Sequence, residues 1–260
     1  KTRIVTPHQY ANQVQSLVMS ALWKGYKWAV LADIKDCFGS FEPERVADIL
    51  PLPRRVTRNV ILGANLRVIP GRQLIQEEET TTMPLTMVSG VVEGSRRGLP
   101  QGSMASSLVA EMLLSDIELG PCAKVEAVFY ADNILCFART EREARAIQDP
   151  LRAIYGWNRA GPFELHKEQI GRISRGFEFL GYRFYTRYGR PHIEPSGRSR
   201  ELMTIFLRVC FASGRHLDGL ERRIEGWYSS FRLAPDAALW RTFMLQALEA
   251  TRERVARGVG

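Results

Sequence analysis

Apolar residues at Val14, Leu17, Val18, Leu22 and Trp23 fall on one side of a helical wheel, so residues 8–23 are predicted to form a helix that Gly25 ends. Residues 28–32 are a continuous apolar run, read as a buried strand, leading straight into Asp33. Pro43 opens a second helix, and Pro51 and Pro53 close it. Residues 54–68 read as a basic helix. Residues 70–97 are rich in Thr, Gly and Glu, with strand-like pieces around 85–92. A helix is predicted over 103–118. Short apolar strands at 125–130 and 134–138 flank Asp132-Asn133 as a hairpin. Residues 140–155 form an amphipathic helix with Thr140 and Glu143 as a capping box. Residues 176–185 and 190–194 are β-like. After Pro195 the pattern becomes helical throughout, over 198–212, 217–232 and 236–257, with Gly214 and Pro235 as breaks. The reading is an α+β domain followed by a small helical one, without internal repeats.

Composition narrows the classes. The 260 residues are 45% hydrophobic and 25% charged, the balance of a globular chain. No apolar run approaches the ~20 residues of a membrane-spanning helix. No secretory leader is read in this stretch, and a cytoplasmic location is expected. Because the sequence opens at Lys1, a fragment or processed form is expected. Cys37, Cys122, Cys136 and Cys210 form no C-x-x-C pair, and the four histidines show no ligand spacing, so neither a zinc site nor a disulfide framework is expected. The formal charge is +8, and only six of the 36 basic residues are lysine. Arginine pairs bidentately with phosphate, which suits a polyanionic partner, although a GC-rich genome also favours Arg codons. Residues 186–260 carry 13 basic and 8 acidic residues, so most of the excess lies in the helical part.

Two acids stand out by position. Asp33 ends a buried strand and Asp132 sits in a tight hairpin. Carboxylates on neighbouring strand ends can hold divalent ions, and two such ions stabilise the attacking and leaving oxygens of a phosphoryl transfer. Either Asp alone reads more readily as a turn or capping residue, and the case rests on the combination with what surrounds them.

In combination with their surroundings they resemble the reverse transcriptase family. Asp33-Ile34-Lys35-Asp36-Cys37-Phe38 is similar to its first catalytic motif. Gly98-Leu99-Pro100-Gln101-Gly102-Ser103 resembles its L-P-Q-G motif, and Phe129-Tyr130-Ala131-Asp132-Asn133 its Y-A-D-D hairpin. Phe177-Glu178-Phe179-Leu180-Gly181-Tyr182 resembles the F-x-F-L-G segment that follows. All four stand in the family's order. Lys1-Thr2-Arg3 with Pro7 is similar to the end of the fingers, and residues 222–231 to the thumb of group II intron-type enzymes.

The resemblance implies an α+β right-hand polymerase: an antiparallel palm sheet with helices on one face, partial fingers, and a three-helix thumb. Its domains would be the end of the fingers at 1–25, the palm at 26–195 with a fingers-side insertion at about 54–97, and the thumb at 196–260. It implies two Mg²⁺ ions, with Mn²⁺ as the alternative, held by Asp33, Asp132, Asn133 and the Ile34 carbonyl. Phe38 would exclude a 2′-OH beneath the incoming sugar. Gln101 and Gly102 would contact nucleotide and template, Arg3 and Lys1 the triphosphate, and Lys167 would protonate departing pyrophosphate. Gly181 and Tyr182 would position the primer end. Arg208, Arg215, Arg222 and Arg223 would grip the duplex backbone, with Gly226-Trp227 marking a close approach in the thumb and Trp227, Tyr228 and Phe231 filling its core. RNA template, DNA primer and product, and dNTPs would be its partners.

Departures from the family also matter. Asn133 replaces a second Asp, Ser107 stands where a Pro commonly follows the Q-G-S segment, and Ala11-Asn12 replaces an Asp-Arg. Neither upstream fingers nor a trailing nuclease or zinc module is read here. These departures favour a domesticated relative, CRISPR-associated or defence-linked, with further subunits or fused domains of such a system as partners. Two alternatives share the motifs: a weakened palm serving as a nucleic-acid-binding scaffold, and a template-independent DNA polymerase.

Overall fold

The computed structural model describes residues 3–4, 11–64, 97–114, 126–213 and 217–257, with 3–4, 11–13 and 218 described by their backbone alone. It is an α+β protein with two largely antiparallel sheets and eight α-helices among the described residues. The chain gathers into two compact units that interleave along the sequence. The first comprises Lys1–Pro7, Leu31–Ile134 and Arg145–Gln169; the second comprises His8–Val30, Leu135–Ala144 and Ile170–Gly260. No helix among the described residues is long and apolar enough to cross a membrane.

In chain order, the strands are β1 (Arg3–Ile4), β2 (Trp28–Ile34), β3 (Glu126–Tyr130), β4 (Asn133–Ala138), β5 (Leu165–Arg172), β6 (Phe177–Phe179), β7 (Tyr182–Arg187) and β8 (Arg190–Pro195). The helices are α1 (Ala11–Trp23), α2 (Pro43–Ile49), α3 (Arg54–Val56), α4 (Met104–Leu114), α5 (Glu141–Gly156), α6 (Gly197–Ser213), α7 (Leu220–Phe231) and α8 (Ala237–Ala256). A five-stranded sheet has the order β1-β3-β4-β2-β5, and a three-stranded one the order β6-β7-β8. β1 runs parallel to β3, pairing Arg3 with Val128. The Ile34 N–H donates to Asp132 O at 2.9 Å and the Lys27 N–H to Ala138 O at 3.1 Å, so β2 and β4 run antiparallel.

The first unit builds its elements from short-range punctuation. Pro43 occupies the first turn of α2, where its missing N–H costs nothing. Phe41 and Phe163 are both buried and meet edge-on, ring centroids 4.9 Å apart. Gly98 has φ +58°, and a Cβ there would lie 2.0 Å from the Phe38 carbonyl, so only glycine fits. The next N–H, from Leu99, donates to that same carbonyl at 2.8 Å. The turn that precedes α4 is thereby tied to the segment after β2.

The second unit carries the capping box and the helical cluster. Glu143 N–H donates to Thr140 Oγ1, while the Arg139 and Thr140 N–H groups donate back to Glu143 Oε2. β7 pairs antiparallel with β6 and β8. A chain of ring contacts runs Tyr26–Phe137–Phe177–Phe184–Tyr182–Phe231–Trp227, each step 4.9 to 6.3 Å between centroids. The three final helices bury Met203, Leu207 and Cys210 of α6, Leu220 and Ile224 of α7, and Met244 and Leu248 of α8 in one cluster.

The structure corrects the sequence reading at four places. The helix expected over 54–68 is helical over 54–61, as the short α3 continued by a π-helical turn at Thr57–Ile61, and its end at 65–68 lies outside the described residues. The β-like stretch 176–185 is broken at Leu180 and Gly181, which take φ of +48° and +80° to turn β6 into β7. β5 was not expected: its side chains have no apolar alternation, as suits a strand at a sheet edge. A Cβ on Gly226 would meet nothing within 4 Å, so that glycine marks no close approach. Residues 65–96 and 115–125, with their expected strand pieces and helix end, lie outside the described residues.

Candidate active site

Asp33 lies at the end of β2, and Asp132 lies in the two-residue turn Ala131-Asp132 between β3 and β4. The bond from Ile34 N–H to Asp132 O fixes the two acids side by side. Burial, with Asp33 as the charged neighbour, raises the Asp132 carboxyl above the ordinary carboxylate range. The Cys37 thiol beneath is pushed up to about 12 by burial, with Asp132, Asp33 and Asp36 adding to the shift. It is therefore no nucleophile at neutral pH.

Cations and donors frame the pair unevenly. Lys167 Nζ donates to Asp33 Oδ2 at 2.9 Å, from a side chain 67% exposed. His166 Nδ1 reaches the Asp33 carbonyl at 3.1 Å, and its Nε2 stands 3.7 Å from Asp33 Oδ2. Because a carbonyl only accepts, Nδ1 carries the proton. Asn133 Nδ2 donates to Asp132 Oδ1 at 2.8 Å. Asp33 Oδ1 is buried and has no hydrogen-bond partner among the described residues. Three residues beside the acids, Asp36, Ala131 and Lys167, hold φ of +44°, +52° and +52°. Such left-handed backbone at non-glycine residues costs energy and clusters where a local geometry is needed.

The donor set fits a hard divalent cation. An orphaned carboxylate oxygen facing a second carboxylate is an acceptor awaiting a positive partner. Among the described residues no three His, Cys, Asp or Glu side chains gather as a metal cage. Mg²⁺ needs no cage: it takes one or two carboxylates and completes its shell with water and substrate phosphates.

Phe38 links the acids to the Gln101-Gly102 turn. It lines a pocket of about 250 Å³ with Cys37, Tyr130 and Ala131, and a second of about 480 Å³ with Gln101, Gly102 and Ser107. Gln101 and Gly102 are exposed, Gly102 at φ +89° with open space around it. The Ile34 side chain is buried and its N–H is spent on Asp132 O, which leaves only its carbonyl for a ligand role.

Most of the other residues singled out in the sequence belong to the second unit. Tyr182 is buried in the second unit, where its hydroxyl donates to the Ser230 carbonyl and its ring meets Phe231. The Gly181 carbonyl accepts from Ser196 N–H and Ser199 Oγ. The Tyr182 hydroxyl and the Gly181 carbonyl are thus both engaged within the second unit. Arg208 and Arg222 are exposed on α6 and α7, while the Arg223 guanidinium lies 4.3 Å over the Phe206 ring. Trp227 and Phe231 pack with the helical core as expected, whereas Tyr228 stacks under Arg241. Arg3 is described by its backbone alone, and Lys1 and Arg215 lie outside the described residues. His166 was not singled out in the sequence; its only signal was its place beside Lys167.

No family model matches the chain, and no curated protein matches it. Among solved structures it is similar to telomerase from Candida albicans in complex with a TWJ fragment of telomeric RNA. The TM-score is 0.40 and the identity 13%, over 87% of this chain and 44% of that one. The chain thus spans less than half the length of that telomerase chain, and a likeness this distant decides nothing about activity.

Proposed function

We propose that this chain is the catalytic part of an RNA-directed DNA polymerase that adds deoxynucleotides to a primer 3′-OH. The observation that carries the reading is the pair Asp33 and Asp132, held side by side with Asp33 Oδ1 unpartnered and Phe38 bridging to Gln101-Gly102. Asp33, Asp132, the Ile34 carbonyl and Asn133 would hold Mg²⁺ or Mn²⁺, which when bound supplies charge stabilisation at the attacking and leaving oxygens. Lys167 neutralises Asp33 in the free protein; once released, its exposed ammonium is free to give a proton to a leaving phosphate. His166 holds the Asp33 main chain from below. Phe38 occupies the space a 2′-OH would need. Arg208 and Arg222 would face duplex phosphates, with residues 26–195 acting as palm and 196–260 as thumb. The narrower assignment to a CRISPR- or defence-linked relative of group II intron enzymes rests on the sequence departures alone.

Asn133 favours a second reading. Its amide occupies Asp132 Oδ1, and an amide brings no charge to a metal site, as in a palm kept only as a nucleic-acid scaffold. Primer extension with Mg²⁺ on an RNA template, on a DNA template and without template separates the readings. The polymerase reading expects extension on RNA that Asp33→Ala abolishes in a folded protein. A scaffold gives none on any template, and a template-independent enzyme extends on all three alike. Phe38→Ala is expected to raise the ribonucleotide share of the product, whereas a purely structural Phe lowers both nucleotides equally.

A further inference from the structure

The outer face of the β7–β8 hairpin lies within the second unit and takes no part in the site above. Its register pairs Arg183 with Glu194, Tyr185 with His192, and Arg187 with Arg190. The intervening Tyr182 and Phe184 are buried, so alternation sends Arg183, Tyr185 and Arg187 to the opposite face. There Tyr185 and His192 stack with nearly parallel rings, centroids 5.1 Å apart and planes 10° apart. Arg183 lies 5.1 Å over Tyr185, and Arg187 lies 5.4 Å over Tyr188. Tyr188 is 91% exposed at the hairpin tip, at φ +52°.

Two carboxylates temper the charge. Glu194 pairs with Arg183 at 2.8 Å, and Glu178 lies opposite Arg183 on β6 and accepts from the Gly197 N–H. Arg187 and Arg190 make no ion pair among the described residues, so the tip keeps two unneutralised guanidinium groups. A large ring held in water at a turn position that favours Asn or Gly is a poor choice for stability alone.

We propose that this face binds single-stranded nucleic acid, with Arg187 and Arg190 on phosphates and the rings of Tyr188 and the Tyr185–His192 stack under bases. Charge complementarity selects a polyanion, and the flat rings beside the arginines select one that carries bases rather than an acidic polypeptide. The binding is independent of the chemistry proposed for Asp33 and Asp132.

The test is fluorescence anisotropy of the whole chain with a labelled oligothymidylate of about 20 nucleotides, titrated across salt. Arg187→Gln with Arg190→Gln is expected to lower the slope of log affinity against log salt by about 1.4, two single-strand contacts at ~0.7 each. Tyr188→Ala is expected to weaken binding about five- to a hundredfold at fixed salt. Should the arginine variant fail to fold, the tyrosine variant still decides, because its side chain touches little besides Arg187. Wild-type affinity in the tyrosine variant, or a wild-type slope in a folded arginine variant, overturns the proposal. So does a glutamate-rich peptide that displaces the oligonucleotide at equal charge concentration, since the face would then fit an acidic protein.

Discussion

Two hairpins with two-residue turns, β3–β4 and β7–β8, solve the same geometric problem with opposite chemistry. In β7–β8 the turn is Tyr188-Gly189, with φ of +52° and +72°, the double left-handed conformation that matches strand twist. Its second position is the glycine such a turn favours. In β3–β4 the turn is Ala131-Asp132; Ala131 takes φ +52° without being glycine, and the next residue is an acid whose carboxyl is pushed above its ordinary range by burial and a like charge. The second hairpin departs from its local rules once, at the non-glycine Tyr188, and meets them at Gly189. The first breaks two rules in adjacent residues, which is the mark of a turn shaped by what it must present.

The comparison breaks most decisively at the turn residues themselves. Asp132→Ala is expected to cut Mg²⁺-dependent extension by ~10³-fold or more while the protein still folds. Tyr188→Ala should leave single-nucleotide addition near wild type, with both read by primer extension and circular dichroism. Substantial extension by folded Asp132→Ala removes the chemical reason for the difference between the hairpins.

A subtler contrast is stability. Asp132 holds its proton to a higher pH when folded than when unfolded, so the folded state binds more protons between the two values. Metal-free stability is therefore fullest below the unfolded carboxyl value of ~3.9 and falls as pH climbs through the raised folded one. Asp132→Asn escapes that loss. It is expected to melt about 2–4 °C above wild type at pH ~7 without metal, and to match wild type near pH ~4. A lower melting point at neutral pH would show that the carboxylate is well compensated.

The reciprocal glycine exchange sharpens the backbone half of the contrast. Gly189→Ala places a Cβ at φ +72° and should cost about 1 kcal/mol in urea unfolding. Ala131→Gly should return about 0.5–1 kcal/mol, the smallest of these effects. If Ala131→Gly is neutral, the Ala131 turn is not strained.

Much of this was legible in the residues. Pro43, the Thr140–Glu143 box and the helical periodicity after Pro195 each act over a few residues, so sequence exposes them. Asp33 and Asp132 stood out by position, but only their combination with the surrounding motifs raised them above turn or capping residues; the bond from Ile34 to Asp132 then sets them side by side. β5 was not legible, since an edge strand needs no apolar face, and with it went the placement of His166 and Lys167 against Asp33. The surroundings of Tyr182 were equally illegible. Nothing local tells a tyrosine facing a ligand from one whose hydroxyl meets a carbonyl 48 residues away. The hydrogen bond from Asn133 to Asp132 depends on side-chain direction, which sequence does not carry.

The brevity of the Ala131-Asp132 turn has an evolutionary consequence. Pairing in β3 and β4 has a period of two, and Ile134, Leu135, Cys136, Phe137 and Ala138 are buried without a break. One added or deleted codon in the turn would slide β4 by a residue, turn each of its side chains to the opposite face and carry the acid away from Asp33. The loop can drift by substitution but not by length. Its lineage should therefore record changes of residue identity at 131 and 133, while insertions accumulate elsewhere in the chain.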